Sequence, residues 1–200
     1  QWVGAQPDAT GLHAGQMLGG GLKGVLLFNT EPQFDSAAGE GAAAALGSAD
    51  MVVTLSPFKT NLEFSDVLLP IAPFTETSGS FVNAEGRLQT FHAVVRPLGE
   101  TRPAWKVLRV LGNLMELQGF DFETSQDVLA RATGAAAGEL TQVPAEVLDN
   151  TCPTLPASVA PADVPAPVVA SIYQLDGLVR RASSLQLTAD ARQAREGVPA

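Results

Sequence analysis

The stretch ADMVVTLSPFKTNLEFSDVLLP, residues 49–70, decides the fold. It holds two short apolar runs, Met51 to Leu55 and Val67 to Pro70, the first rich in β-branched side chains that fit a pleated, half-buried surface. Between them lies PFKTNLEFS, long enough for a turn of helix. Upstream, Gly24 to Phe28 (GVLLF) is another wholly apolar run, bounded by Gly19, Gly20 and Gly21 on one side and by the Asn29 to Pro32 turn on the other. Runs that are apolar on both alternations suit strands covered on both faces. Asp35 or Ser36 can cap a helix through the alanines at 42–45 to Gly47, although Gly39 and Gly41 each weaken it by roughly 1 kcal/mol relative to Ala. Strand, crossover, strand, crossover, strand implies an α/β fold with a parallel sheet and right-handed connections.

After Pro73 the character changes. The segment TSGSFVNAEGRLQTF has two short apolar pieces around Asn83 to Gly86, where Gly86 can accept positive φ, and it is read as a hairpin at the carboxyl end of the sheet. Pro103 stands where a first helical residue belongs. Val107, Leu108, Leu111, Leu114 and Met115 recur at three- and four-residue spacing, and Gly119 stops the helix. Thr124 and Asp127 form a capping-box pattern ahead of Val128, Leu129 and Ala132. Both helices are expected to cover one face of the sheet. From about Gly134 to Val169 the chain is Ala, Pro, Val and Gly with little periodicity, an extended connector. The expected organisation is a leading segment over 1–22, an α/β domain over 23–133, a connector over 134–169 and a C-terminal tail over 170–200.

Composition excludes several functions. The formal charge of −9 repels phosphate backbones, so nucleic-acid binding is not expected. No apolar run reaches the roughly 18 to 20 residues that span a bilayer, so a soluble piece without direct membrane insertion is expected. The chain opens with Gln1 and carries no secretory signal pattern, which suggests a break in a longer protein. The single cysteine, Cys152, excludes an internal disulfide and fails the ligand count of an iron-sulfur cluster. His13 and His92 lie far apart with no second ligand at helical or strand spacing, so no metal site is expected.

Each local signal with a chemical reading has a plainer one. Gly19 to Gly21 with Lys23 have the composition of a phosphate cradle, yet they precede a strand, whereas a phosphate loop follows a strand and opens a helix. Ser78 and Ser80 flank Gly79, the reverse of a nucleophile elbow. His92 beside Phe91 reads as a half-buried packing residue, with no carboxylate at fixed local spacing to orient it. Cys152, next to Pro153, reads as a thiol without chemistry. No catalytic residue is assigned.

The run from Ala49 to Val107 resembles a segment of the molybdopterin oxidoreductase superfamily: an AD-led apolar strand, then S-D-V-V-L-P, E-x-x-G-T-F-V-N-x-E-G-R and P-x-G-E-A-x-x-x-W. In this chain these read ADMVV, SDVLLP, ETSGSFVNAEGR and PLGETRPAW. KGVLLFNTEPQFD and IYQLDGLVRRASSLQLTADA are similar to the corresponding strand and the extreme C-terminus of the large iron-sulfur subunit of respiratory complex I, the proton-pumping NADH-quinone oxidoreductase. The resemblance implies a Rossmann-like sheet with crossover helices and a terminal hairpin, followed by helices and an Ala/Pro-rich tail. It implies a scaffold segment supporting NADH-to-quinone electron transfer in the peripheral arm. In that family the clusters are held by cysteines upstream of the matched region, so no cofactor is expected in this chain. The implied partners are other peripheral-arm subunits, and the implied location is the cytoplasmic face of the bacterial inner membrane. Within the superfamily, the hairpin positions Glu76, Gly79, Asn83, Glu85, Gly86 and Arg87 lie where a cofactor-bearing relative faces its pterin. Here they are expected to stabilise the fold through turn hydrogen bonds and an internal ion pair. A fragment of a molybdopterin-dependent enzyme, such as a formate dehydrogenase or nitrate reductase, and a free-standing binding module are the alternatives.

Overall fold

The computed structural model describes residues 11–83, 87–134 and 171–196. Glu85, Gly86 and Cys152, and the connector beyond Gly134, lie outside these residues. Three strands, β1 (Gly24–Phe28), β2 (Met51–Ser56) and β3 (Val67–Pro70), form a parallel sheet in the order β1-β2-β3. β2, the central strand, is the most deeply covered: Val52, Thr54, Leu55 and Ser56 are all buried, as expected for an apolar run in the middle of a parallel sheet. The described residues divide into two compact units, one of residues 12–53, 60–66 and 171–196, the other of 11, 54–59, 67–83 and 87–134.

In the first unit, Leu27 of β1, Leu46 and Val52 form the core, with Leu18, Val25, Ala49 and Phe64 packed against it. His13 caps the one-turn helix α1 (Ala14–Met17), its Nδ1 accepting the Gln16 N–H at 3.2 Å. The helix expected from Asp35 or Ser36 is instead split into α2 (Pro32–Asp35) and α3 (Gly41–Gly47). Two causes are visible. Asp35 does not cap the later helix but turns back, its Oδ2 accepting the Glu31 N–H at 2.7 Å. Gly39 then breaks the path at φ 53, a left-handed position that glycine tolerates. Ala42 and Leu46 carry α3 into the core. Nor does the 57–65 crossover hold a helix. Asn61 takes φ 58 and its Nδ2 donates to Thr30 O at 3.0 Å, so this loop is pinned to the end of β1 in a turn. The C-terminal residues 171–196 add α6 (Gly177–Arg181), α7 (Ser183–Gln186) and α8 (Ala189–Glu196), numbered after the two helices of the other unit.

In the second unit, β4 (Gly79–Val82) and β5 (Leu88–Phe91) pair antiparallel with Gly79 opposite Phe91 and Val82 opposite Leu88. The expected hairpin is present, as a two-stranded sheet of its own. Helix α4 covers Ala104–Leu114, one residue later than the sequence pattern suggests, because Pro103 holds an extended ψ of 130 and serves as the N-cap. It also ends before Gly119. Glu116 takes φ 57, with Glu116 N–H donating to Asn113 O at 3.0 Å and Leu117 N–H to Gly112 O at 2.9 Å, a Schellman ending built without glycine at the left-handed position. Helix α5 (Ser125–Thr133) begins with the expected capping box, Thr124 accepting from Asp127 N–H at 3.1 Å and Asp127 from Thr124 N–H at 2.8 Å. These hydrogen bonds, first from the Thr124 backbone and then from Glu123 and the Thr124 hydroxyl, hold the Asp127 carboxyl below its ordinary value. The residues that α5 meets are those of β4 in the hairpin.

Candidate functional site

The polar residues of the hairpin are the first candidates, and the fold turns the described ones onto the chain itself. Asn83 Oδ1 accepts the Arg87 N–H at 2.8 Å while Asn83 N–H donates to Arg87 O at 3.1 Å, closing the loop around residues 84–86. Glu76 ends a 3-10 turn (Phe74–Glu76), and its Oε2 accepts the Leu98 N–H at 2.9 Å. Among the described residues Glu76 and Arg87 do not form the expected ion pair; a pair through Glu85 lies outside them. Gly79 gives room to Phe91. A Cβ there would sit 2.8 Å from Phe91 Cζ, and the ring that fills this space stacks on Phe81 with centroids 5.0 Å apart. An aromatic ring covering a strand glycine from the partner strand stabilises the pairing. His92 is exposed rather than half-buried, since it follows Phe91, the last paired residue of β5.

Beside the hairpin, in the same unit, lies an open cleft of about 430 Å³ lined in part by Glu76, Ser78, Arg102, Lys106 and Thr124. Its cations have occupations. Arg102 Nη1 donates to Thr101 O at 2.8 Å, and Lys106 Nζ stands 5.3 Å from the Trp105 ring centroid.

The densest polar cluster belongs to the other unit, and the sequence alone does not single it out. Glu31, at the carboxyl end of β1, is 9% exposed in its side chain and receives two arginines from α6. Arg181 makes a two-pronged contact, Nη1 to Oε1 at 2.7 Å and Nη2 to Oε2 at 2.9 Å. Arg180, 8% exposed, reaches Oε1 with Nη2 at 2.9 Å and Asp35 Oδ1 with Nη1 at 3.3 Å, and its guanidinium lies 4.6 Å from the Phe34 ring centroid. The Thr60 hydroxyl donates to Glu31 Oε2 at 2.9 Å. Burial alone would raise the Glu31 carboxyl. The hydrogen bonds from Arg181, Arg180 and Thr60 and the charge of Arg180 overcome it and hold the group at about 2. Sequence carried one trace of this cluster, Arg180–Arg181 being the adjacent cation pair in a chain whose other cations are scattered.

These arrangements define an α/β sheet domain whose visible polar chemistry is internal. A sequence model of the molybdopterin oxidoreductase family matches residues 2–114, more than half of the chain, and the chain belongs to that family. Relatives from Staphylococcus aureus strains bovine RF122 and USA300, both provisionally named formate dehydrogenase, are 36% and 34% identical over 101 residues. The matched residues are 48% of this chain, which spans about a tenth of the length of these relatives. Acetylene hydratase from Pelobacter acetylenicus matches 56% of this chain and 16% of its own at 22% identity, with a TM-score of 0.48.

The family implies a pterin-bound metal, and the described hairpin positions are committed to contacts within the chain. The hairpin acceptors of Glu76 and Asn83 take backbone N–H groups, the space above Gly79 holds Phe91, and no group of three His, Cys, Asp or Glu side chains converges among the described residues. Glu31, which follows the carboxyl end of β1, holds the chain's own arginines. Among the described residues no helix is long and apolar enough to cross a membrane.

Proposed function

We propose that this chain is a structural segment of a molybdopterin-family oxidoreductase of the formate dehydrogenase kind, contributing a wall to a larger protein without ligating a redox centre. The observation that carries this reading is the inward commitment of the hairpin: Asn83 and the backbone of Arg87 bind each other, Glu76 takes the Leu98 N–H, and Gly79 makes space for an aromatic stack. The relatives provisionally named formate dehydrogenase support the choice within the family. Cofactor and substrate then belong to parts of the parent beyond these residues, as expected of a fold whose chemistry is placed elsewhere.

A scaffold role in the large subunit of respiratory complex I is the second reading. It is favoured by the tail: residues 172–191, similar to the C-terminus of that subunit, fold as α6 to α8, and α6 carries the arginines that reach Glu31. On that reading the partners are peripheral-arm subunits and the site of action is the inner face of the bacterial membrane. Purification of the native assembly through an affinity tag on this chain separates the two. Dye-linked formate oxidation that co-purifies with the tag supports the first reading; NADH-quinone reductase activity in its place replaces it with the second.

A further inference from the structure

We propose that residues 171–193 form a releasable strap, and that the surface made by Glu31, Phe34, Asp35 and Thr60 is a receptor for two adjacent guanidinium groups. The reasoning starts from what could hold the strap down. Helices of five and four residues are too short to persist alone, so α6 and α7 require anchorage. Apolar burial supplies little: neither helix contains a buried residue, and the buried residue nearest to them is Ala191 of α8. The anchorage is ionic. Two forks converge on one carboxylate, the Arg180 guanidinium also bridging to Asp35 and lying over the Phe34 ring. Two cations thus meet two carboxylates, so the cluster, buried at Glu31 and Arg180 and partly exposed at Asp35 and Arg181, is charge-balanced.

The receptor is specific for arginine. A planar fork can make two parallel hydrogen bonds to Glu31 and lie flat on an aromatic face, whereas an ammonium meets either only as a point charge. Its position gives the strap a consequence. Glu31 follows the carboxyl end of β1, and Thr60 and Asn61 fasten the neighbouring loop to Glu31 and Thr30. With the strap in place, this carboxylate is occupied by the chain's own Arg180 and Arg181.

The test is amide hydrogen exchange on the full chain, comparing wild type with Glu31→Gln and with Arg180→Gln/Arg181→Gln. Exchange at residues 177–187 is expected to accelerate at least about tenfold in both variants, while amides of β1, β2 and the β4–β5 hairpin keep their protection. Because Glu31→Gln alters a buried position beside the sheet, the double arginine variant is the cleaner arm. Unchanged exchange at 177–187 in the double variant overturns the ionic anchorage. Loss of protection in β1 and β2 along with the strap overturns its releasability, making residues 171–193 an integral part of the fold.

Discussion

The β4–β5 hairpin and the Glu31 cluster solve the same problem, fixing a polar loop, by opposite means. In the hairpin, Asn83 pairs with the Arg87 backbone four residues away and Phe91 covers Gly79, so the contacts are local and none of them depends on a charge. At Glu31 the partners lie 149 and 150 residues away and the contacts are between charges, the Glu31 and Arg180 side chains buried and Arg181 partly exposed. The family match covers residues 2–114 and so includes the hairpin and Glu31, but it excludes Arg180 and Arg181. Of the hairpin positions that are described, Asn83 and Arg87 bind each other and Glu76 takes the Leu98 N–H. The most perturbed carboxylate is instead satisfied by a segment outside the matched region.

The contrast is sharpest under mutation. Glu31→Ala deprives the buried Arg180 guanidinium and the partly exposed one of Arg181 of their shared carboxylate and is expected to lower stability by about 3 kcal/mol. Asn83→Ala removes one neutral acceptor at an exposed loop and is expected to cost about 1 kcal/mol. Urea midpoints decide between them, and equal shifts in the two variants would break the comparison. Acid should erase the difference. The Glu31 carboxyl is lowered from 4.5 to about 2 in the folded chain, so its contribution is fully present above about 4.5 and is lost as pH falls towards 2. The gap in urea midpoint between wild type and Glu31→Gln should therefore shrink over that window. A gap unchanged at pH 2.5 would mean the carboxylate is not what holds the cluster.

A steric test probes the hairpin side. Gly79→Ala places a Cβ 2.8 Å from Phe91 Cζ and should cost about 1 to 3 kcal/mol as the ring is pushed off Phe81. In a Phe91→Leu background the same change should cost less, and a double-mutant cycle reads the coupling. Additive effects would show that Gly79 is there for another reason. The smallest effect is expected at the end of α4. Glu116→Gly relieves a left-handed residue at φ 57 and should raise stability by about 0.5 to 1 kcal/mol, seen as a higher thermal midpoint.

The three sheet strands were legible because short apolar runs with β-branched residues leave few alternatives, and the hairpin and the α5 start were legible from turn and capping chemistry that is local in sequence. The misread boundaries share a cause. Gly39, Asn61 and Glu116 each take positive φ; Gly39 showed in the sequence only as a weak helix position, and an Asn or Glu at such a position is not announced by residue type. The Asp35 side chain could have capped forward or turned back, and only the fold chose Glu31 as its partner. The Glu31 cluster was illegible for a different reason. Periodicity and spacing describe neighbours along the chain, and nothing in either stretch specifies a pairing across 150 residues. What sequence offered was the adjacent Arg180–Arg181 pair without its acceptor.

The central claim is that this chain shapes its surroundings without holding a redox centre. It is tested most directly by metal analysis, with visible absorption and electron paramagnetic resonance, on the chain expressed anaerobically with iron, sulfide and molybdate supplied. The expected result is iron and molybdenum each below about 0.1 per chain and no sulfide-to-iron charge-transfer band, because one thiol falls short of the ligand count. Stoichiometric iron with that band, or molybdopterin retained through purification, would contradict it.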